Sequence, residues 1–245
     1  LTYGYQPRGP NIPTEEGPEG DGSSLAALSP GAREEDRKVV WEVGNGKGDQ
    51  DAIRLGKYLT APTYEAGRLY ATVRYASTYY AVCLDARTGS TLWIALLGPV
   101  PISAYRNDAW QFGYTMELLT ERGSPPSVAD GVVFVATNAG LMAAVEAETG
   151  RPVWAYHYAS PVGAREYTIS ELCYALTLAF KPKYPQNPIV AWRGRAIAAP
   201  ADSDYVMGFE AETGRLLWSC DRAGQSDLSL LDGERLLVSG PGLTV

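Results

Sequence analysis

Histidine is nearly absent from this chain of 245 residues, His157 being the single copy. A metal site built on several imidazoles is thereby excluded. A Ser-His-Asp triad would have to run through His157, and no Gly-x-Ser-x-Gly elbow accompanies it. Cysteine is scarce too. Cys83, Cys173 and Cys220 stand apart with no Cys-x-x-Cys, which argues against a zinc knuckle or an attached haem. With three, at least one is unpaired within the chain; one bridge or none can form, and the favoured reading is three small buried apolar residues. No apolar run approaches the length of a bilayer crossing. Basic charge is outweighed, 21 Lys+Arg against 28 Asp+Glu, for a net charge of −7. That sign opposes binding to nucleic acid by counterion release and attraction to anionic lipid.

What is present favours β structure. Sixteen Tyr and six Trp suit pleated surfaces, and 26 Gly with 17 Pro supply turns without reaching a disordered composition. The chain opens on Leu1 rather than Met and stops at Leu243-Thr244-Val245. Both ends are therefore expected to be cuts, with targeting information removed.

One phrase organises the sequence. Leu84–Trp93 reads LDARTGSTLW, Val145–Trp154 reads VEAETGRPVW and Phe209–Trp218 reads FEAETGRLLW. Each is apolar, acidic, Ala, charged, Thr, Gly, two variable residues, apolar, Trp. A Thr-Gly pair between two apolar segments predicts a tight hairpin turn, with Gly89, Gly150 and Gly214 supplying positive φ. The acidic residue before it (Asp85, Glu146, Glu210) is placed to accept hydrogen bonds from turn amides. Each Trp falls on the strand leaving the turn, where a flat indole is suited to filling the wedge between adjacent sheets. A Gly-centred turn and an apolar strand precede each phrase: EAGRLYATVRY from Glu65, ADGVVFVAT from Ala129 and WRGRAIAAP from Trp192. The apolar run of the second copy predicts sheets stacked on both of its faces. Residues 38–43, KVVWEV, repeat the Trp strand alone, around Trp41, and residues 228–245 repeat the opening strands without the phrase.

Four-stranded units repeated around an axis are a β-propeller. The units expected are 58–97, 126–158, 189–220 and a partial one at 224–245. From Trp41 through Trp93 and Trp154 to Trp218 the spacings are 52, 61 and 64 residues. A plain blade takes about 40–45, so each unit carries an insertion, and insertions on a rigid scaffold are where function is expected.

The phrase AETGRLLW, with GVVFVAT before its second copy, resembles the repeat of the pyrroloquinoline-quinone-type β-propellers over residues 38–245. The resemblance implies an all-β propeller and an exported, periplasmic or otherwise extracytoplasmic bacterial setting. It is strongest to long cell-envelope proteins whose blades carry extended loops. The superfamily holds eight-bladed quinoprotein dehydrogenases and cofactor-free relatives such as an outer-membrane assembly lipoprotein. In the dehydrogenases, calcium is held by carboxylate and amide oxygens, an Asp is the base and a disulfide between adjacent cysteines covers the quinone. No two cysteines are neighbours here. Eight blades need about 320 or more residues, and this chain has four blades' worth. It is therefore expected to be part of a larger ring, the alternative being a four-bladed ring closed by pairing of its two ends.

Residues 1–37 carry no phrase and are rich in Gly and Pro, predicting an extended arm or linker. Around 95–125, Trp110, Phe112, Tyr114, Met116 and Leu118 alternate with polar residues, predicting a strand with one apolar face. Tyr105, Arg106, Asn107, Asp108 and Trp110 at its end have the mixed aromatic and polar character of a recognition surface. Around 156–188, Ile169, Leu172, Cys173, Leu176 and Phe180 fall at helical spacing. Tyr156, Tyr158 and Tyr167 there are candidates for a sugar- or peptide-binding surface. Once the packing motifs are set aside no catalytic constellation is left. The expected function is a non-catalytic scaffold or protein-interaction propeller of the cell envelope, with no cofactor. A segment of a quinone-dependent dehydrogenase, holding the quinone with calcium, and a carbohydrate-binding propeller are the alternatives.

Overall fold

A computed structural model describes residues 23–29, 38–76, 78–99, 123–159, 184–224, 226–230 and 235–240. Three antiparallel meanders, each a β-propeller blade, form its centre. In the first, β3 (Lys57–Tyr58) and β4 (Thr63–Glu65) together make a broken innermost strand, followed by β5 (Arg68–Tyr75), β6 (Thr78–Asp85) and β7 (Thr91–Pro99). The second comprises β8 (Ser127–Ala129), β9 (Val132–Ala136), β10 (Leu141–Glu146) and β11 (Pro152–His157). The third comprises β12 (Val190–Trp192), β13 (Arg195–Ala198), β14 (Tyr205–Glu210) and β15 (Leu216–Asp221). Flanking them are two-stranded sheets, β1 (Ser24–Leu28) with β2 (Val39–Gly44), and β16 (Asp227–Leu230) with β17 (Leu236–Ser239). The sheets do not close into a ring: among the described residues no ladder joins β1–β2 to β16–β17.

The two recurring sequence patterns meet in space. Ala66-Gly67, Asp130-Gly131 and Arg193-Gly194 all have positive φ at both positions, the backbone of the two-residue hairpins that suit twisted strands. Gly67, Gly131 and Gly194 then accept, through their carbonyls, the amides of Ala86, Ala147 and Ala211 at 2.8–2.9 Å. Each Gly-centred turn is thus tied to the Thr-Gly turn of its own blade.

Stacking on both faces is visible in the second blade. Val133, Val135, Leu141, Ala143 and Val145 pack with Tyr70, Cys83 and Trp93 of the first blade. Their alternates, Phe134, Ala136, Met142 and Ala144, pack with Ile189, Ala196, Ala198 and Phe209 of the third. A strand apolar on both faces fits this place and no exposed one.

Four features differ from the sequence expectations. Ser24–Leu28, inside the segment expected to be an arm, is a strand paired with β2. Its run of Ser, Ala and Leu has too short an alternation to stand out. A four-residue helix, α1 (Asp51–Arg54), precedes the first blade and buries Ile53 completely. Cys83 is buried, and burial pushes its thiol up to about 11. Cys220, by contrast, is exposed on β15. Only the inner strands β16 and β17 follow that blade among the described residues, so nothing there covers its outer strand. Finally, only Asp85 reaches turn amides, accepting from Arg87 N and Thr88 N at 3.0 and 2.8 Å. Glu146 and Glu210, one methylene longer, take the hydroxyl of Thr149 or Thr213 and the guanidinium of Arg151 or Arg215 instead.

Candidate interaction face

Strand direction gives each blade two distinct ends. At one lie the Gly-centred and Thr-Gly turns. At the other, β7 runs out into segment 100–122 and β11 into segment 160–183, so both long insertions leave and re-enter on the same side. The first end carries the repeated turns and the second carries the long insertions.

At the turn end one contact recurs at three junctions. Trp41 Nε1 donates to Ala86 O at 3.0 Å, Trp93 Nε1 to Ala147 O at 3.1 Å and Trp154 Nε1 to Ala211 O at 2.8 Å. Each indole lies on the glycine of the next sheet's phrase: a Cβ on Gly89 would come within 2.7 Å of Trp41, one on Gly150 within 2.7 Å of Trp93, and one on Gly214 within 2.5 Å of Trp154. Glycine is needed there twice over, for its φ of +70 to +74 and for the absent methyl. Trp218 occupies the same sequence position with no phrase beyond it among the described residues. It rests instead on its own sheet, over Gly208, whose Cβ would be 2.3 Å from the indole. Ala144 and Cys83 hold the corresponding place in the other blades.

At the insertion end a polar seam runs from the second blade across the third to β16. Asn138, in the β9–β10 turn, donates to Ser124 Oγ at 3.1 Å and accepts from Ala201 N at 2.9 Å. Asp202, between β13 and β14, accepts from Tyr158 Oη at 2.6 Å and from Gly140 N at 3.1 Å. Asp204 accepts from Tyr184 Oη at 2.8 Å. Arg222 is buried beneath, donating to Pro200 O, Ser203 O and Ser226 O, with its guanidinium 3.7 Å from the Tyr184 ring centre. Asn187 completes the seam with Ser226 O and Leu228 N. Burial first, then the Asp202 charge, hold the Tyr158 phenol well above its usual value. Burial likewise lowers that of Arg222.

Of the residues singled out in the sequence, Tyr105, Arg106, Asn107, Asp108, Trp110 and Tyr167 lie outside the described residues, as do the strand expected near 110–118 and the helix expected near 169–180. Tyr156 packs edge-on against Phe209, ring centres 4.8 Å apart, and Tyr158 is engaged by Asp202. His157 is exposed on β11. Asn138, Tyr184, Asp202, Asp204 and Arg222 escaped sequence reasoning. The one available signal was the pair of tyrosines bracketing the insertion beside an Asp-Ser-Asp turn.

Among the described residues no three His, Cys, Asp or Glu side chains gather as a metal cradle. The two described cysteines are far apart in sequence and neither is bonded. No helix among the described residues is long and apolar enough to cross a membrane.

No curated protein matches the chain. Solved structures similar to it include BamB from Moraxella catarrhalis, at 15% identity over 89% of this chain and 57% of that one, with a TM-score of 0.43. A quinohemoprotein alcohol dehydrogenase from Pseudomonas putida is 18% identical over 65% of this chain and 20% of that one, with a TM-score of 0.38. The computationally designed protein Ika4 is 14% identical over 82% and 92%, with a TM-score of 0.44. The chain thus spans little more than half of the BamB structure and a fifth of the dehydrogenase. A family model described as outer membrane protein assembly factor BamB matches residues 81–244, most of the sequence, and the chain belongs to that family of pyrroloquinoline-quinone-type repeat propellers.

Proposed function

We propose that this protein is a non-catalytic propeller scaffold of the bacterial cell envelope, acting by docking another protein on its insertion-bearing end. The observation that carries this reading is the division of labour between the two ends. The repeated residues, from the tryptophans to the Thr-Gly turns, are spent on closing each blade and on holding one sheet to the next. The long insertions all leave from the other end, where sequence is free to vary without disturbing the stack. Membership of the family of an outer-membrane assembly factor supports an extracytoplasmic place and a protein partner, which includes the rest of a larger ring.

The test uses the protein in its native envelope. A photo-crosslinking residue is placed at Tyr105 or Trp110, and, as a comparison, at Arg87 or Glu148 on the turn end. Crosslinks to a distinct envelope protein from the insertion positions alone are expected. Equal crosslinking from both ends, or none, overturns the reading. Native mass spectrometry of the same material separates the alternatives. A quinone-sized adduct with calcium would make this part of a dehydrogenase, and a retained sugar would make it a carbohydrate-binding propeller.

A further inference from the structure

We propose that the turn Ala201–Asp204, between β13 and β14, is the positioning device of the insertion face, gripping three insertion ends at once. Its value for docking rests on the reading above; the grip itself does not. Tyr158 stands just before segment 160–183 and Tyr184 directly after it. Their hydroxyls donate to Asp202 at 2.6 Å and Asp204 at 2.8 Å, two carboxylates one residue apart in a single turn. Ser124 stands just after segment 100–122 and reaches the same turn through Asn138, whose side-chain oxygen accepts from Ala201 N.

The residue types suit the task. A carboxylate offers two oxygens, and Asp202 uses one for Tyr158 and the other for Gly140 N, so the insertion end is fixed to the second blade as well as to the turn. Bonds to an ionised acceptor are the stronger kind. The turn is itself braced from below. Arg222 donates to the carbonyls of Pro200 and Ser203, on either side of Asp202, and its guanidinium lies over Tyr184. A two-residue hairpin, as at Ala66-Gly67, closes a strand pair with fewer residues. The longer turn here spends its added side chains on the insertions.

The consequence is preorganisation. Insertion ends that are already fixed have less freedom to lose when a partner binds, so more of the contact energy appears as affinity. Asp202 and Asp204 are positioning residues on this account, acting without touching the partner.

Hydrogen exchange on the full chain tests it. In Tyr158→Phe with Tyr184→Phe, ring packing is kept and only the two hydroxyls go. Amides at Tyr158, at Ser124, Ser127 and Val128 and at Tyr184, Gln186, Asn187 and Ile189 should exchange about tenfold faster, while α1, packed on β5 in a core that the second and third blades do not enter, keeps wild-type rates. Asp202→Asn with Asp204→Asn removes the charge and gives a second reading if the first variant folds poorly. Unchanged exchange at the insertion ends in both variants overturns the proposal. Crosslinking yield from Tyr105 or Trp110 should fall about tenfold in the same variants, though no contact residue has been altered. A wild-type protein that makes no such crosslink sinks the docking reading, and the exchange rates still decide the grip.

Discussion

At the scale of the residue, the tryptophans of the repeat carry the argument because three of those four are used identically. Trp154 donates to Ala211 O at 2.8 Å, stacks on Phe209 with ring centres 5.9 Å apart, and is 8% exposed. Removing a buried indole costs its transfer energy and leaves a cavity the sheets cannot close. Trp154→Ala should therefore lower the unfolding free energy by about 3–5 kcal/mol in urea titration. Trp218→Ala is the control, since that indole is half-buried and meets no Thr-Gly phrase among the described residues. Its cost should be less than half as large. Equal costs would mean that the phrase adds nothing to the packing of the indole.

At the scale of the element, the Thr-Gly turn couples charge to stability. The Arg151 guanidinium, then the Thr149 hydroxyl, hold the Glu146 carboxyl down at about 2 against an ordinary 4.5. Asp85 and Glu210 are shifted the same way, Asp85 chiefly by Thr88, Glu210 by Thr213 and Arg215. A carboxyl lowered by folding contributes stability above its unfolded value and loses it as pH falls through the folded one. For Glu146 that window runs from about 4.5 down to about 2. Wild type should unfold at a higher urea concentration than Glu146→Gln at pH 6, with the gap closing toward pH 2. Added salt should narrow it at pH 6, because the pair is at the surface. A gap constant with pH would show that the ion pair is not its source.

The same turn shows why some elements could be read from the sequence and others could not. Leu84–Trp93, Val145–Trp154 and Phe209–Trp218 spell one structure three times, so chance is averaged out and the blade can be recognised from identity alone. Stacking on both faces of the second blade is equally open to reading, since Val132–Ala136 offers no polar face to water. The insertion-end seam has no such redundancy. Asp202, Asp204, Asn138 and Arg222 each occur once, in turns, and meet partners up to 63 residues away. Periodicity does not register a single side chain whose partner lies on another blade. Nor does it register Ser24–Leu28, whose strand character comes from pairing with β2.

At the scale of the whole molecule, stability is expected to vary along the stack of sheets. In a linear array each unit is held by its neighbours, so units covered on both faces open last. The second blade is in that position, with its alternate residues divided between two cores and β10 buried along nearly its whole length. β1–β2 and β16–β17 each pack on one described sheet and expose Leu28, Val39, Val40 and Leu230. Amides of Leu141–Glu146 should therefore exchange at least about a hundredfold more slowly than those of Leu236–Ser239 when the protein is studied as this chain, a difference set by local opening free energy. If the outer sheets are instead completed by further blades in the native assembly, the same measurement on that assembly should raise protection at Leu236–Ser239 and leave Leu141–Glu146 nearly unchanged. Protection that is uniform across the chain in isolation would mean that the sheets unfold as one cooperative body, and the description of each blade as stabilised by its neighbours would have to be abandoned.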